Sequence, residues 1–339
     1  MRLTRKEFLR SSIGAAVAPA MAAAVTPALG AQGGSTTPVK AGPKRGVSLF
    51  CYAMELYYRK SLEDCLAHIS DLGTPEQGYK MGLEILGTAH VEGYPNPTAA
   101  WVNNWHRMME TYNLQPVQFG IWSDTKLHGE GPTDFASNDE ILARMIQDIR
   151  LAALLGFTHI RSRYGLMDND GGLVPGWQEV YKAALPVAHD YNVRLVEEIH
   201  HPLGNPVVGH LIDFIERENP GEWFKINPDF MIFTTMNPPP EIVEAFGGRG
   251  YTPPPPDDPS KLIEIMPYVG GAIHAKFGDM TRECTFPDAD YAALLNILKD
   301  HNWDGYLNSE YQGAGMFRGE SVQQVRRHHV MMKRLLGEA

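Results

Sequence analysis

Residues Val193 to His201 read VRLVEEIHH. Val193, Leu195 and Val196 are apolar and mostly β-branched, the make-up of a short buried strand. The run then stops on two carboxylates and two imidazoles. Packing alone does not call for ionisable groups at the tip of an apolar strand. In α/β proteins, ligands bind at the carboxyl ends of parallel strands. Three later strand-like runs end the same way: KINPDF closes on Asp229, GAIHAKF carries His274 and LNSEYQG carries Glu310.

Outward from this stretch, eight strand-like runs alternate with helix-like runs. Strands are expected near Gly46–Tyr52, Leu83–Leu86, Pro116–Ile121, Phe157–Arg161, Val193–His201, Trp223–Asn227, Gly271–Lys276 and Gly305–Ser309. Helices are expected over Leu62–Leu72, Thr98–Tyr112, Asp139–Leu155, Pro175–Tyr191, Pro206–Glu218, Ser260–Tyr268, Ala289–His301 and Glu320–Leu336. Ser61 with Asp64 forms a capping box, Asn138 is placed to cap the third helix, and Pro175 suits a first helical turn. Eight β-then-α units point to an α/β fold, a single (β/α)8 TIM barrel over residues 45–339. An open doubly wound sheet would carry a glycine-rich phosphate turn after its first strand, and CYAMELYYRK has no glycine. The irregular stretch Asp229–Pro259, with prolines 253–256, exceeds ordinary loop lengths, which marks a functional or interface segment.

Composition narrows the function classes. The chain is 43% apolar with a formal charge of -10, and no Lys/Arg-rich block follows the N-terminus. That balance points away from nucleic acid and anionic membranes as partners. Residues 1–31 start with Arg2, Arg5, Lys6 and Arg10 and continue into an Ala-rich apolar run, the layout of an export signal. TRKEFLR resembles a twin-arginine signal with Lys6 in the second arginine position. Loss of this segment takes the formal charge to about -13. Residues 32–44 read as a flexible leader. An exported, periplasmic or otherwise extracytoplasmic enzyme works without ATP or soluble nicotinamide, which suits isomerisation, epimerisation or elimination. Cys51, Cys65 and Cys284 lack metal-type spacing and read as buried thiols; an odd count leaves at least one of them unpaired.

On a barrel, consecutive strand tips lie side by side, so Glu198, Asp229, His274 and Glu310 are expected to converge. Three carboxylates alone would repel one another, and a divalent cation removes that problem. Mixed oxygen and imidazole ligation suits Mn²⁺, and also Mg²⁺, Fe²⁺, Co²⁺ or Zn²⁺. Glu197 is the neighbour that competes with Glu198, because side chains alternate faces along a strand. His90, His128 and His200 are candidates for a general base, with a second-shell or structural role as the plainer reading of each. His201 shares the position of His200. Arg161, Arg163 and Lys276 are cations for ligand oxygens in a charged cleft, or for the carboxylates themselves. Lys276, two residues beyond His274, should share its face. Tyr52, Trp122 and Tyr311 suit stacking on a ring, with ordinary packing as the alternative.

The set Glu198, Asp229, His274, Glu310 at strands five to eight resembles the xylose-isomerase-like barrel superfamily of sugar isomerases and epimerases, over residues 45–337. VSLFCY, GYPNPTAAWVNNWHRMMETYNLQP, WSDTKL and SEYQG resemble, more narrowly, the alpha subunits of C-glycoside deglycosidases. The resemblance implies a divalent metal, usually manganese, on those four residues, and favours Glu198 over Glu197 through its Glu-x-His pattern. It implies proton transfer beside a carbonyl at Glu198 and Glu310; the residues themselves add His200, Lys276 and His128 as further catalytic candidates, Lys276 as a cation for sugar hydroxyls or an enolate oxygen. Tyr52, His90, Trp122, Arg161, Arg163 and Tyr311 are then the substrate-binding candidates. Epimerases of the group commonly carry histidine three residues after the aspartate, where this chain has Ile232. Deglycosidases act on a 3-keto sugar supplied by an oxidoreductase, remove the C2 proton and eliminate the C1 substituent, with a small beta subunit as partner. The functions in view are a 3-keto glycoside lyase, a keto-sugar isomerase or epimerase, and a non-catalytic exported sugar-binding barrel. Each takes a sugar or glycoside as its small molecule, and homo-oligomerisation is compatible with all three.

Overall fold

The structure, a computed structural model, describes residues 42–53, 56, 60–73, 78–121, 137–162, 173–200, 202–235 and 255–338. The expected export signal and nearly all of the leader lie outside them. The strands are β1 Lys44–Ser48, β2 Met81–Leu86, β3 Leu114–Gly120, β4 His159–Ser162, β5 Arg194–Ile199, β6 Phe224–Pro228, β7 Ala272–Phe277 and β8 Tyr306–Tyr311. The helices between and after them are α1 Leu62–Ser70, α2 Ala99–Thr111, α3 Asn138–Leu154, α4 Trp177–Asp190, α5 Pro206–Glu218, α6 Leu262–Ile265, α7 Tyr291–Asp300 and α8 Ser321–Leu336. The strands run in the order β6-β5-β4-β3-β2-β1-β8-β7, and every paired neighbour is parallel. Two parallel bridges, Ile226 to Val269 and Asp229 to His274, link β6 to the β7 side and nearly close the ring. The architecture is the expected (β/α)8 barrel.

Local chemistry explains where the elements start and stop. At α1 the Ser61 side chain accepts from Asp64 N–H while the Asp64 carboxylate accepts from Ser61 N–H, the reciprocal cap read from the sequence. At α3 the cap is Ser137, closed by Glu140, and Asn138 is already the first helical residue. Helix α4 starts at Trp177 and not at Pro175, because Gly176 sits in the left-handed region at φ 76° and interrupts any helix across it. The expected helix 260–268 is broken into a 3-10 turn, the single turn α6 and a second 3-10 turn, Met266–Tyr268. Pro267 supplies no N–H there and ends the α pattern. Strand β1 stops at Ser48, and Leu49–Tyr52 curls into a 3-10 turn capped by the Ser48 hydroxyl. Cys51 and Cys65 are buried, whereas Cys284 is partly exposed, contrary to the reading of all three as buried. Among the described residues no helix is long and apolar enough to cross a membrane.

Register sorts the two faces of the barrel. Residues paired directly across parallel strands share a face. Leu83, Ile85, Phe119, Ile160, Leu195, Ile226, Ile273 and Leu307 form the apolar outer face and are fully buried under the helices. The inner face is polar: Glu84 pairs beside Gln118, Glu198 beside Asn227, His274 beside Asn308 and Lys276 beside Glu310. All eight of these side chains are buried. An interior built this way carries charges that need partners, and the candidate site supplies them.

One stability prediction arises outside the barrel wall. His328 on α8 is fully buried, stacks on Phe277 at 3.9 Å between centroids and meets Ser309 Oγ at 2.9 Å. Burial pushes its pKa down to about 3. Below pH 6.5 the unfolded chain therefore binds a proton that the folded one refuses, so stability falls as pH drops through that window. The expected cost at pH 5 is about 2 kcal/mol from this residue. Urea melts at pH 7.5 and pH 5 should show His328→Gln losing less stability than the parent over that interval. Equal losses would contradict the assignment.

Candidate metal centre

Four donors meet at the carboxyl ends of the last four strands. Glu198 ends β5, Asp229 follows β6, His274 lies in β7 and Glu310 in β8. One donor atom from each lies within 4.8 Å of all the others. His274 Nδ1 is 2.7 Å from Glu198 Oε1, 3.0 Å from Glu310 Oε2 and 3.8 Å from Asp229 Oδ2. His200 Nε2 joins from the same side, 3.0 Å from Glu198 Oε1 and 3.1 Å from Asp229 Oδ2.

Each carboxylate turns one oxygen to the protein and one to the centre. Glu198 Oε2 receives Arg161 at 2.6 Å, leaving Oε1 toward His274. Asp229 Oδ1 accepts from Met231 N–H at 2.8 Å and caps the 3-10 turn Phe230–Phe233, leaving Oδ2. Glu310 Oε1 accepts from the Gln312 amide at 2.8 Å and faces Lys276 at 3.3 Å, leaving Oε2. Asp229 Oδ2 faces Lys276 Nζ at 2.7 Å and His200 Nε2 at 3.1 Å, and His274 Nδ1 faces the Glu198 and Glu310 carboxylates, so charge holds these buried atoms together.

The donor set fits a dication on three counts. It offers three single oxygens and one imidazole nitrogen, and no sulfur. Ligands about 2.1 Å from an ion stand about 3 Å apart at right angles, close to the separations of His274 Nδ1 from Glu198 Oε1 and Glu310 Oε2. Charge also agrees. Among the described residues, Glu84, Glu198, Asp229 and Glu310 face Arg161 and Lys276, with His274 as a third cation while it is protonated; an ion at Nδ1 would take the place of that proton and leave four negative charges against two side-chain cations. A divalent cation would cancel the excess and relieve the mutual repulsion of the carboxylates.

Electrostatics of the cluster run against burial. Burial alone would raise Glu198, but Arg161, aided by His200 and His274, holds its carboxyl well below the usual range. Burial likewise opposes Asp229 and Glu310; Lys276 is the main group that outweighs it and keeps both low, Glu310 at about 2. Burial lowers His274, yet Glu84, Glu310 and Glu198 push it well above its ordinary value. Lys276 is driven up, against burial, by Asp229 and Glu310. It stands against both carboxylates, which is the neutralising role among those expected for it.

The other sequence candidates separate cleanly. Arg161 is buried, with Nε 2.8 Å from Glu84 and Nη1 on Glu198, so it neutralises carboxylates and is not open to a sugar. Glu197 points to the opposite face of β5, where it accepts from the hydroxyls of Ser162 and Tyr181. Glu197→Gln is therefore expected to cost stability, on the order of 1–3 kcal/mol, and to leave metal affinity unchanged in a calorimetric titration. Tyr311 is not a ring platform: it pairs beside Phe277 on the outer face, is fully buried, and donates its hydroxyl to Asp279. Tyr52 lies in the buried turn after β1, with 1% of its surface exposed, and offers no stacking face. His90 ends a helical turn that follows β2; its Nδ1 accepts from Leu86 N–H, and burial pushes its pKa down to about 4. It is a neutral, partly exposed imidazole. Trp122, His128, Arg163 and His201 lie outside the described residues.

Two inward residues escaped the sequence reading. Glu84 in β2 meets His274 Nε2 at 2.8 Å and Arg161 Nε at 2.8 Å. Gln118 in β3 donates to Glu84 at 3.3 Å. The available signal was the lone carboxylate inside MGLEIL, an otherwise apolar strand.

Residues 81–335 match the model of the xylose isomerase-like TIM barrel. The chain belongs to that family. Among curated proteins, this xylose isomerase-like barrel is 23% identical to a 3'-dehydrocarminate deglycosidase alpha subunit of Microbacterium sp, covering 87% of this chain and 96% of that one. It is 22% identical to a C-glycoside deglycosidase alpha subunit of Arthrobacter globiformis, covering 80% and 84%. Among solved structures it is similar to an L-ribulose 3-epimerase, with a TM-score of 0.57 at 14% identity over 87% of this chain and 95% of that one. A D-psicose 3-epimerase gives 0.56 at 14%, over 87% and 99%. At these identities the solved structures speak for the fold.

Proposed function

We propose that this chain is a divalent-metal-dependent lyase that eliminates the C1 substituent of 3-keto glycosides. The observation that carries a metal-dependent reading is the convergence of Glu198 Oε1, Asp229 Oδ2, Glu310 Oε2 and His274 Nδ1 at the barrel mouth. The choice of a lyase over an epimerase rests on the deglycosidase relatives, which align over 80% or more of the chain. It also rests on Ile232, a buried apolar residue where epimerases commonly place histidine. Manganese is the cation that we propose for the site.

When bound, such a cation lends Lewis acidity to the carbonyl oxygen of the sugar and favours charge developing there. The protein's own groups hold the rest in place. Arg161 and Lys276 keep Glu198, Asp229 and Glu310 ionised, and the paired oxygens fix each carboxylate's orientation. His200, whose Nε2 lies 3.0 Å from Glu198 Oε1 and 3.1 Å from Asp229 Oδ2, is the imidazole to which we assign the C2 proton, on its nearness to the donors. The electron pair of that C–H bond passes through the carbonyl system into a C1–C2 double bond. The bond from C1 to the aglycone breaks, and the aglycone leaves with its electron pair and takes up a proton from water at the mouth.

The test is incubation of the purified chain with Mn²⁺ and a 3-keto C-glycoside, following free aglycone. Release of aglycone supports the lyase. Interconversion of free ketoses without release would replace it by an epimerase. Sugar binding with neither reaction would leave only the non-catalytic reading. The relatives are named alpha subunits, and we propose a small companion subunit here as well, detectable as co-purification or as a rise in turnover when it is added. Residues 1–31 are proposed to direct export; sequencing the N-terminus of periplasmic material checks this.

A further inference from the structure

We propose that Glu84 is a positioning residue for the metal centre, a single carboxylate that orients two ligands from across the barrel. The proposal rests on the metal-dependent reading above. Glu84 is fully buried in β2, inside a strand whose other residues are apolar or glycine. A lone carboxylate there is costly without partners, and its partners are specific. Oε2 meets His274 Nε2 at 2.8 Å, and Oε1 meets Arg161 Nε at 2.8 Å. The Gln118 amide donates to the same Oε1 at 3.3 Å and anchors it from β3. Arg161 then passes the constraint on through Nη1 to Glu198 Oε2 at 2.6 Å.

Two consequences follow for the ligands. Carboxylates flank both ring nitrogens of His274, Glu84 at Nε2 and Glu198 and Glu310 at Nδ1, and the Gln118 amide nitrogen stands 3.1 Å from Nε2; with a cation at Nδ1, the single N–H would lie on Nε2 against Glu84. The opposite tautomer would present a proton to a cation. The rigid guanidinium of Arg161, held at one end by Glu84, occupies Glu198 Oε2 and leaves only Oε1 turned inward. Glu84 thus selects the donor atom of His274 directly and that of Glu198 through Arg161. None of this requires Glu84 to touch substrate or ion.

A purely structural ion pair would show up as lost stability with no change in metal affinity. The experiment is therefore a calorimetric Mn²⁺ titration of chelator-stripped protein, with the Co²⁺-loaded absorption spectrum as a second readout. Glu84→Gln keeps the size of the side chain and removes its charge. It is expected to weaken Mn²⁺ binding by about 10–100-fold and to alter the Co²⁺ bands. Arg161→Lys keeps a cation but loses the bridge; it should weaken binding in the same direction and serves if Glu84→Gln fails to fold. Mn²⁺ affinity within about twofold of the parent in whichever variants fold, with an unchanged Co²⁺ spectrum, would overturn the role of Glu84 and leave the metal reading intact. A parent protein that takes up neither ion would overturn both.

Discussion

Glu310→Gln is expected to lower aglycone release from a 3-keto glycoside by about a thousandfold, within the range for loss of an essential acid–base or electrostatic group. The substitution keeps the shape of the side chain and its contact with Gln312. It removes the charge that Oε2 turns to the centre beside His274. It also removes one of four carboxylates that outnumber their buried cations, so the fold should tolerate it. A melting temperature within a few degrees of the parent, together with the lost turnover, separates this from general damage. Steady-state kinetics on the variant check it; turnover within tenfold of the parent would show that Glu310 is not part of the chemistry.

Removing the metal should act on both activity and stability. Dialysis against a chelator is expected to bring turnover to background, and added Mn²⁺ to restore it. Without the ion, repulsion among Glu198, Asp229 and Glu310 is balanced, among the described residues, by Arg161, Lys276 and a protonated His274. An ion present at a hundred times its dissociation constant stabilises the folded state by about 2.7 kcal/mol. For a domain of this size that is a rise of about 4–5 °C in melting temperature. Thermal melts with and without chelator measure it. Identical melts would count against an ion in this cluster.

Much of the architecture was legible because its signals are local. Apolar runs that end in ionisable residues at Glu198, Asp229, His274 and Glu310 mark strands and their mouths together, and parallel order makes such tips neighbours. The choice between Glu197 and Glu198 was not local. It depends on which face of β5 turns inward, and the pairing of Ser162 with Glu197 on the outer face decides it. The same alternation sends Tyr311 outward onto Phe277 although it adjoins Glu310. Glu84 was harder still: its partners Arg161 and His274 lie 77 and 190 residues away, and only closure of the barrel brings them together. Helix boundaries differ where one residue overrides a pattern, as Gly176 does ahead of Trp177 and Pro267 does after α6.

The most direct measurement is the metal stoichiometry of the stripped chain titrated with Mn²⁺, compared with Asp229→Ala. Asp229 supplies Oδ2 to the cluster and is fully buried. The account predicts one ion bound per chain and no saturable binding in the variant. Binding that persists unchanged in Asp229→Ala, or turnover by a parent protein that holds no metal, would contradict it.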